Sequence, residues 1–299
     1  MINLVNNNNI IKSFFIKINW TVYFFLSLLA FTGGIILYSV SEGNFHPLAS
    51  SHFFKYLVSS IALFFTCFIS INFIYKSSYA VYFFSIILLI IVLFFGDDSL
   101  GSNRWLYLGG FTFQPSEFSK VAVIIALARY YNDYHFLSNN NILKVFFPIL
   151  IFIIPFSLVI KQPDLGTGLL ILISSLAVIF LSGISLWYIL FSTVLFASLA
   201  PLLWNFLYDY QKKRILTFLN PEQDPLGSGY HIAQSKIAIG SGGFSGKGYI
   251  QGSQSHLEFI PEIHTDFVFS IFSEEFGFLG SMILILIYFY VLCYGVYSS

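Results

Sequence analysis

Long apolar segments alternate with short polar ones along most of this chain. Windows of about 19 residues, the length that crosses a bilayer as a helix, predict eight transmembrane helices. They lie near residues 18–40, 53–75, 79–95, 115–132, 144–160, 166–183, 187–207 and 267–297. The pattern therefore predicts an all-α, polytopic membrane helix bundle, organised as a single domain over residues 1–299.

One long polar stretch interrupts the pattern and forms a large loop at about residues 207–265. Its end reads HTDFVFSIFSEEFGFLG, so that Asp266 is followed directly by apolar residues. A carboxylate at the junction of water and lipid is costly to place, which makes it a candidate functional group. Asp266 is therefore the leading candidate for a catalytic residue.

Composition supports the membrane class. Apolar residues make up 57% of the chain and charged residues 9%, whereas soluble domains carry roughly 25% charged residues. The 14 basic and 14 acidic residues balance, so no net charge favours nucleic acid as a partner. Cys67 and Cys293 lie inside apolar segments, where a thiol usually behaves as a small hydrophobic group, and no disulfide is predicted.

Charge near the N-terminus suggests an orientation. Lys12 and Lys17 precede the first apolar segment, which is long and lacks a cleavage signature, so an uncleaved first helix with its N-terminus inside is predicted. This orientation places four segments on the outer side: 41–52, 96–114, 161–165 and 207–265. The residues with chemical potential are therefore expected on one face of the membrane.

The first outer segment with such residues ends in a predicted helix start. Pro115 suits the first turn of a helix, and Glu117 and Lys120 follow on that helix three residues apart. That spacing lets the two charges neutralise each other near lipid. The pair is either a structural ion pair or part of a substrate site.

The next outer turn reads KQPDLGTG, residues 161–168. Pro163 and Gly166 favour a tight turn there, and Asp164 is placed to cap the following helix. A cluster of cations, Lys212, Lys213 and Arg214, begins the long polar stretch. Such a cluster either contacts an anionic headgroup or simply anchors the chain at the membrane interface.

Two further patterns lie within the long stretch. The run GSGGFSGKG, residues 240–248, lacks the spacing of a nucleotide phosphate loop, although its backbone amides remain candidates for a looser pyrophosphate contact. Asp266, Ser270 and Glu274 recur every four residues and are predicted to share one helix face directed into the bundle. Glu274 and Glu275 are expected to stabilise local structure rather than to react.

A group of potential metal ligands precedes the last apolar segment, and it comprises His256, Glu258, Glu262, His264 and Asp266. The absence of cysteine and of helical histidine spacing argues against a dedicated zinc site. A weakly held magnesium or manganese ion shared with the substrate fits these oxygen and nitrogen donors better. No tightly bound cofactor is predicted, and the metal is left open with Asp266 as a candidate ligand.

Several long motifs resemble one known family in the same order along the chain. They are NRWLYLGGFTFQPSEFSK, KQPDLGTG and the stretch from NPEQDPLGSGYHIAQSKIAIGSGGFSGKG to YIQGSQSHLEFIPEIHTDFVFSIFSEEFGFLG. The chain resembles the shape, elongation, division and sporulation family over roughly residues 15–297. The sequence GKGYIQGSQSHLEFIPEIHTDF favours the elongation branch of that family over its division branch.

The resemblance implies a peptidoglycan glycosyltransferase that polymerises lipid II in the bacterial inner (cytoplasmic) membrane, with the active face extracytoplasmic. It assigns the catalytic aspartate to Asp266 and a charged pair to Glu117 and Lys120, with Arg104 and Arg214 as basic positions near substrate. A class B penicillin-binding transpeptidase and other elongation-complex proteins are the implied partners. The chemistry fits, because a base must activate the acceptor hydroxyl and cations must stabilise the departing pyrophosphate.

Two other functions stay open at this level. The first is a flippase or transporter of lipid-linked precursors, and the second is a non-catalytic scaffold of the elongation complex. Members of the family usually have ten spans, two more than the eight predicted here. A chain of 299 residues is therefore expected to insert into membranes but to polymerise lipid II poorly.

Overall fold

The computed structural model describes residues 18–99, 102–108, 111–134, 143–183, 209–221, 227–253 and 265–298, with a few single positions between 184 and 208. In chain order the helices and strands of these residues are α1 (Trp20–Val40), α2 (Leu48–Thr66), α3 (Ile71–Phe95), β1 (Asp97–Ser99), β2 (Ser102–Leu108), β3 (Phe111–Phe113), α4 (Pro115–Tyr134), α5 (Leu143–Lys161), α6 (Leu165–Leu181), α7 (Asp209–Leu219), α8 (Ser228–Ser241) and α9 (Val268–Ser298).

The chain divides into two compact units. The first comprises residues 1–68 and 212–299, and the second comprises residues 69–211. In the first unit α1 packs against α2 and α9, and α8 packs against α9. A small apolar core of Ile36, Ile271 and Phe272 joins α1 to the beginning of α9.

The second unit is built around α4. This helix contacts α3, α5 and α6, and these four helices enclose a core that includes Leu89, Val123, Leu127, Val159 and Ile171. All five of these side chains are fully buried. These buried side chains form the apolar core of the second unit, and the sheet and the turn between α5 and α6 are built on it.

Helix length and composition confirm a membrane protein. Four helices, Trp20–Val40, Leu48–Thr66, Ile71–Phe95 and Val268–Ser298, are long and apolar enough to cross a bilayer. Two shorter apolar helices, Phe146–Lys161 and Leu165–Leu181, accompany them in the described part of the chain. The predicted span at 187–207 lies almost wholly outside the described residues, so the count of eight spans stays a prediction.

The predicted boundary between the second and third spans is wrong. The apolar pattern predicts the break after residue 75, at the polar residues Lys76, Ser77 and Ser78, but the structure continues α3 through them. Ser77 and Ser78 donate their hydroxyl hydrogens to backbone carbonyls of the same helix, which removes the cost of placing them there. The true break lies at residues 67–70, where the Ser70 side chain caps α3 by accepting from Phe73 N at 3.2 Å.

The segment between α3 and α4 also differs from the predicted loop. It contains a three-stranded antiparallel sheet in the order β1-β2-β3, with Leu106 opposite Phe113 and Asp98 opposite Asn103. β1 and β3 have only three residues each, and β2, with the sequence SNRWLYL, lacks a strict alternation of apolar and polar residues, so periodicity did not indicate strands here. The sheet lies against α3 and α4 through β2, so it positions Arg104 over the end of the bundle.

The most irregular element is α9, which is broken at Gly277. This residue has φ 65° and ψ −162°, a conformation that is essentially restricted to glycine. The break separates an N-terminal segment, residues 268–276, from the long apolar remainder of the helix. A side chain at position 277 would also overlap the backbone of Gly246.

We predict that Gly277→Ala destabilises the protein by about 3 kcal/mol or more, because alanine adopts this conformation at a cost and also clashes. Gly295→Ala is the matched control, since a methyl group at Gly295 in the same helix would meet no atom within 4 Å. Unfolding by denaturant in one detergent, followed by circular dichroism, measures both variants. Equal stability of the two would contradict the assigned backbone conformation.

Candidate functional site

A glycine loop, residues 242–253, closes the break in α9. Lys247 N donates to Glu274 O at 2.9 Å and Gly248 N to Glu275 O at 3.1 Å. In return, Phe278 N donates to Gly243 O at 2.9 Å and Leu279 N to Phe244 O at 3.2 Å. A helix break leaves such groups without intrahelical partners, and the glycine loop satisfies them on both sides of Gly277.

Glycine is needed in the loop because the two backbones approach closely. Side chains at Gly242 and Gly246 would overlap the carbonyl oxygens of Ser273 and Glu275. The amides of Lys247 and Gly248 are already donated to α9. These two amides are therefore not free to contact a pyrophosphate, and the prediction of a loose contact from residues 240–248 is wrong for them.

The side chain of Glu274 is the centre of a polar cluster, the Glu274 cluster, formed with Lys247 and Ser253. Its carboxylate is fully buried, and Oε1 accepts from Lys247 Nζ at 2.6 Å, from Ser253 N at 2.9 Å and from Ser253 Oγ at 3.0 Å. Lys247 Nζ also donates to Ser253 Oγ at 2.8 Å. A buried carboxylate is tolerated here because an opposite charge and two further donors surround it.

The neighbouring Glu275 joins α9 to α1. Its carboxylate accepts a hydrogen bond from Ser39 Oγ, and both side chains are buried. Tyr249 from the glycine loop donates its hydroxyl to Ile35 O at 3.0 Å. Burial, with a smaller contribution from the Glu275 carboxylate, raises the pKa of the Tyr249 phenol, so the phenol stays a donor to α1. The expectation that Glu274 and Glu275 stabilise local structure agrees with these contacts.

Asp266 lies in the turn that leads into α9 and is exposed. The predicted shared face is correct for Ser270 and Glu274, which are both buried. It is wrong for Asp266, because residues 265–267 form a turn and the helix begins at Val268. Ser270 Oγ lies 2.6 Å from Ser235 Oγ of α8, so the helix contacts α8 about one turn before Glu274. The exposed position leaves the Asp266 carboxylate accessible to a ligand.

In the second unit the predicted residues lie around the turn between α5 and α6. Arg104 on β2 donates to Gln162 O at 3.3 Å and to Pro163 O. Asp164 caps α6 by accepting from Thr167 N at 3.1 Å, as predicted. Its other oxygen accepts from Gln114 Nε2 at 3.2 Å. The segments 96–114 and 161–165 therefore meet at one end of the second unit, and the predicted orientation in the membrane stays a prediction.

The predicted contact between Glu117 and Lys120 is present. Lys120 Nζ lies 2.8 Å from Glu117 Oε2 at the start of α4, and the Glu117 side chain is 55% exposed. Ser116 and Ser119 beside this pair are buried. Contact between the two charges fits either of the roles considered for them.

Several predicted residues lie outside what the structure describes. Arg214 belongs to α7, but its side chain is not among the described ones. The described residues also exclude four of the predicted metal ligands, His256, Glu258, Glu262 and His264. Among the residues that are described, no three His, Cys, Asp or Glu side chains come together as metal ligands. The predicted magnesium or manganese site stays a prediction.

Sequence reasoning missed the roles of Lys247, Ser253 and Gln162. Gln162 is buried and donates to Leu89 O at 2.9 Å, so it ties the outer turn to α3. Lys247 lies inside the GSGGFSGKG run, where a lysine is ordinarily solvated, so its sequence context did not indicate an acidic partner. No spacing rule pairs it with Glu274, because 27 residues separate them.

We predict that Lys247→Met destabilises the protein by about 3 kcal/mol, because it leaves the buried Glu274 carboxylate without its cation. Lys120→Met is the matched control and is expected to cost at most about 1 kcal/mol, since its partner Glu117 is largely exposed. Both free energies of unfolding are measured in the same detergent. A larger loss for Lys120→Met would refute this ranking of the two ion pairs.

The chain is similar to members of one protein family. The family model of the FtsW/RodA/SpoVE cell cycle proteins matches residues 14–298. Escherichia coli peptidoglycan glycosyltransferase MrdB is 49% identical over 209 residues, which are 69% of this chain and 55% of MrdB. The probable peptidoglycan glycosyltransferase FtsW of Wigglesworthia glossinidia brevipalpis is 34% identical over 295 residues, 96% of this chain and 76% of that protein.

Solved structures agree with this placement. A chain of a peptidoglycan synthase complex that coordinates polymerization and crosslinking is 27% identical, with a TM-score of 0.75 over 92% of this chain and 76% of that one. The Thermus thermophilus rod shape determining protein RodA, at 23% identity and a TM-score of 0.63 over 92% of this chain and 73% of RodA, has the same fold. The chain spans about half the length of MrdB. With the family model matched over residues 14–298, the chain belongs to the FtsW/RodA/SpoVE family, which is the shape, elongation, division and sporulation family.

Proposed function

We propose that this protein is a peptidoglycan glycosyltransferase that polymerises lipid II during cell elongation. The observation that carries the proposal is the exposed Asp266 carboxylate, placed at the entrance to a membrane-crossing helix of a family member. A carboxylate in that place is accessible to a lipid-linked substrate, and the helix that follows it packs within the first unit. The similarity to MrdB, which is named for the same activity, supports it.

In the proposed reaction a hydroxyl of the acceptor sugar attacks the anomeric carbon of the donor. The bond from that carbon to the lipid pyrophosphate breaks, and the pyrophosphate leaves with the bonding electrons. Asp266 accepts the proton of the attacking hydroxyl, which is the role of a general base. A base of this kind contributes roughly a hundredfold to ten-thousandfold in rate.

Basic residues are proposed to stabilise the departing pyrophosphate. Arg104 uses its Nε and one terminal nitrogen for the carbonyls of Gln162 and Pro163, which leaves part of its five-donor guanidinium for an anion. Arg214 is proposed for the same task, and Glu117 and Lys120 are proposed to line the substrate site. Magnesium or manganese, with Asp266 as a candidate ligand, would add charge neutralisation at the pyrophosphate.

The proposed setting is the bacterial inner membrane, with the reaction on its extracytoplasmic side. A penicillin-binding transpeptidase is the proposed partner, because the similar chain of known structure comes from a complex that coordinates polymerization with crosslinking. The products of polymerisation are the substrates of crosslinking, so contact between two such proteins shortens the path of the nascent strand.

Translocation of a lipid-linked precursor is the alternative that one observation favours. Transporters place broken helices at their binding sites, and α9 is broken at Gly277. In this protein, however, the backbone groups on both sides of the break are hydrogen-bonded to the glycine loop. They are therefore engaged with protein rather than turned toward a cargo, and glycosyl transfer remains the preferred function.

We expect purified protein in lipid nanodiscs to form glycan strands from lipid II and Asp266→Asn to lower the rate at least about a hundredfold, since the amide cannot act as a base. Asp209→Asn is the matched control, because Asp209 is another exposed carboxylate at the start of a helix. Gel analysis of labelled lipid II measures both rates.

The same nanodiscs separate the alternatives. A wild-type chain that moves fluorescent lipid II between leaflets without polymerising it would favour translocation. A chain that does neither, under conditions in which E. coli MrdB polymerises, would favour a scaffold. Near-normal polymerisation by Asp266→Asn would remove Asp266 from the mechanism.

A further inference from the structure

The Glu274 cluster lies on the same short helical segment that Asp266 precedes. Asp266 stands directly before residues 268–276, and Glu274 stands near the end of that segment. The segment is interrupted at Gly277, so the long apolar part of α9 does not hold it by helical continuity. Its position must therefore be set by contacts made between residues 268 and 276.

Those contacts are of two kinds. At the start of the segment, Ile271 and Phe272 pack with Ile36 in the small core, and Ser270 pairs with Ser235 at 2.6 Å. At its end, the carbonyls of Glu274 and Glu275 accept from the glycine loop, and Ser281 donates to Ser273 across the break at 2.9 Å. Two carboxylates add side-chain contacts there: Glu275 accepts from Ser39, and Glu274 accepts from Lys247 and Ser253. Apolar packing alone allows the segment to slide and to rotate about its axis. Charge-assisted hydrogen bonds to Glu274 are directional and therefore restrict that rotation.

We propose that Lys247 and Glu274, with Ser253, are positioning residues that fix the orientation of the Asp266 carboxylate, and this rests on the proposed function. The cation and the carboxylate form an anchor at the end of the 268–276 segment, so rotation of that segment about its axis would break the 2.6 Å contact. None of the three touches the reacting atoms in this assignment. Their effect on the reaction passes through the backbone to Asp266.

The proposal differs from a purely structural role in what it predicts for kinetics. A displacement of about 1 Å in a catalytic group can cost on the order of a hundredfold in rate. Lys247→Met is therefore expected to lower kcat on the order of a hundredfold while the KM for lipid II changes little. Lys247→Arg keeps the charge and is expected to restore most of the lost kcat.

Two milder substitutions test the proposal in case Lys247→Met does not fold. Ser253→Ala removes one hydroxyl from the Glu274 cluster, and Tyr56→Phe removes one hydroxyl from the contact of α2 with α1, where Tyr56 Oη donates to Ser27 Oγ at 2.6 Å. Each variant loses one buried or half-buried hydroxyl contact in the same unit. Only Ser253→Ala is expected to lower kcat at equal folded fraction.

A distance measurement tests the positioning without reference to polymerisation. Cys293 is an exposed free cysteine on the long part of α9, and with Cys67→Ala and Asp266→Cys it gives two labels on either side of the break. An unbroken helix would separate the two positions by about 40 Å. Pulsed electron paramagnetic resonance on nitroxides at 266 and 293 reports how widely that distance is distributed.

The expected result is a narrow distance distribution in the parent and in Tyr56→Phe, and a broadened one in Lys247→Met and Ser253→Ala. An unchanged distribution in both cluster variants would overturn the proposal, as would activity that falls only in proportion to the folded fraction. If the wild-type chain forms no glycan, the proposed function fails, and the distance distributions still decide whether the cluster orients position 266.

Discussion

The structure of the first unit depends on the way the glycine loop completes a broken helix. A break at Gly277 leaves carbonyls of one helical segment and amides of the next without partners, and each such group costs several kcal/mol in a surrounding without water. Four backbone hydrogen bonds from residues 243–248 satisfy these groups. The loop can come close enough only because Gly242 and Gly246 carry no side chains.

The buried ion pair follows from this backbone arrangement. Once the loop lies along the break, the side chain of Lys247 reaches the carboxylate of Glu274, which is removed from solvent by the same packing. The fully buried Glu274 carboxylate would be costly in that place without its cation. The contact therefore specifies one register of the loop against α9, and a shifted loop would leave both charges without their partners.

The match over residues 14–298 establishes the family, and the similarity to MrdB extends over about half of that protein. The proposed activity, substrate and partner rest on the exposed Asp266 carboxylate and on the glycosyltransferase activity in the name of MrdB. In the second unit, Arg104 donates to the carbonyl of Gln162, Gln162 donates to Leu89 O, and Asp164 caps α6.

The sequence alone determined the class of protein, the start of α4 at Pro115, the cap at Asp164 and the contact of Glu117 with Lys120, because each depends on composition or on residues within four positions of one another. It also singled out Asp266 by its place at the polar boundary. The break between α2 and α3, the small sheet, the exposure of Asp266 and the pairing of Lys247 with Glu274 were decided by the tertiary structure. These features depend on contacts between residues that are far apart in the sequence, and local periodicity does not predict such contacts.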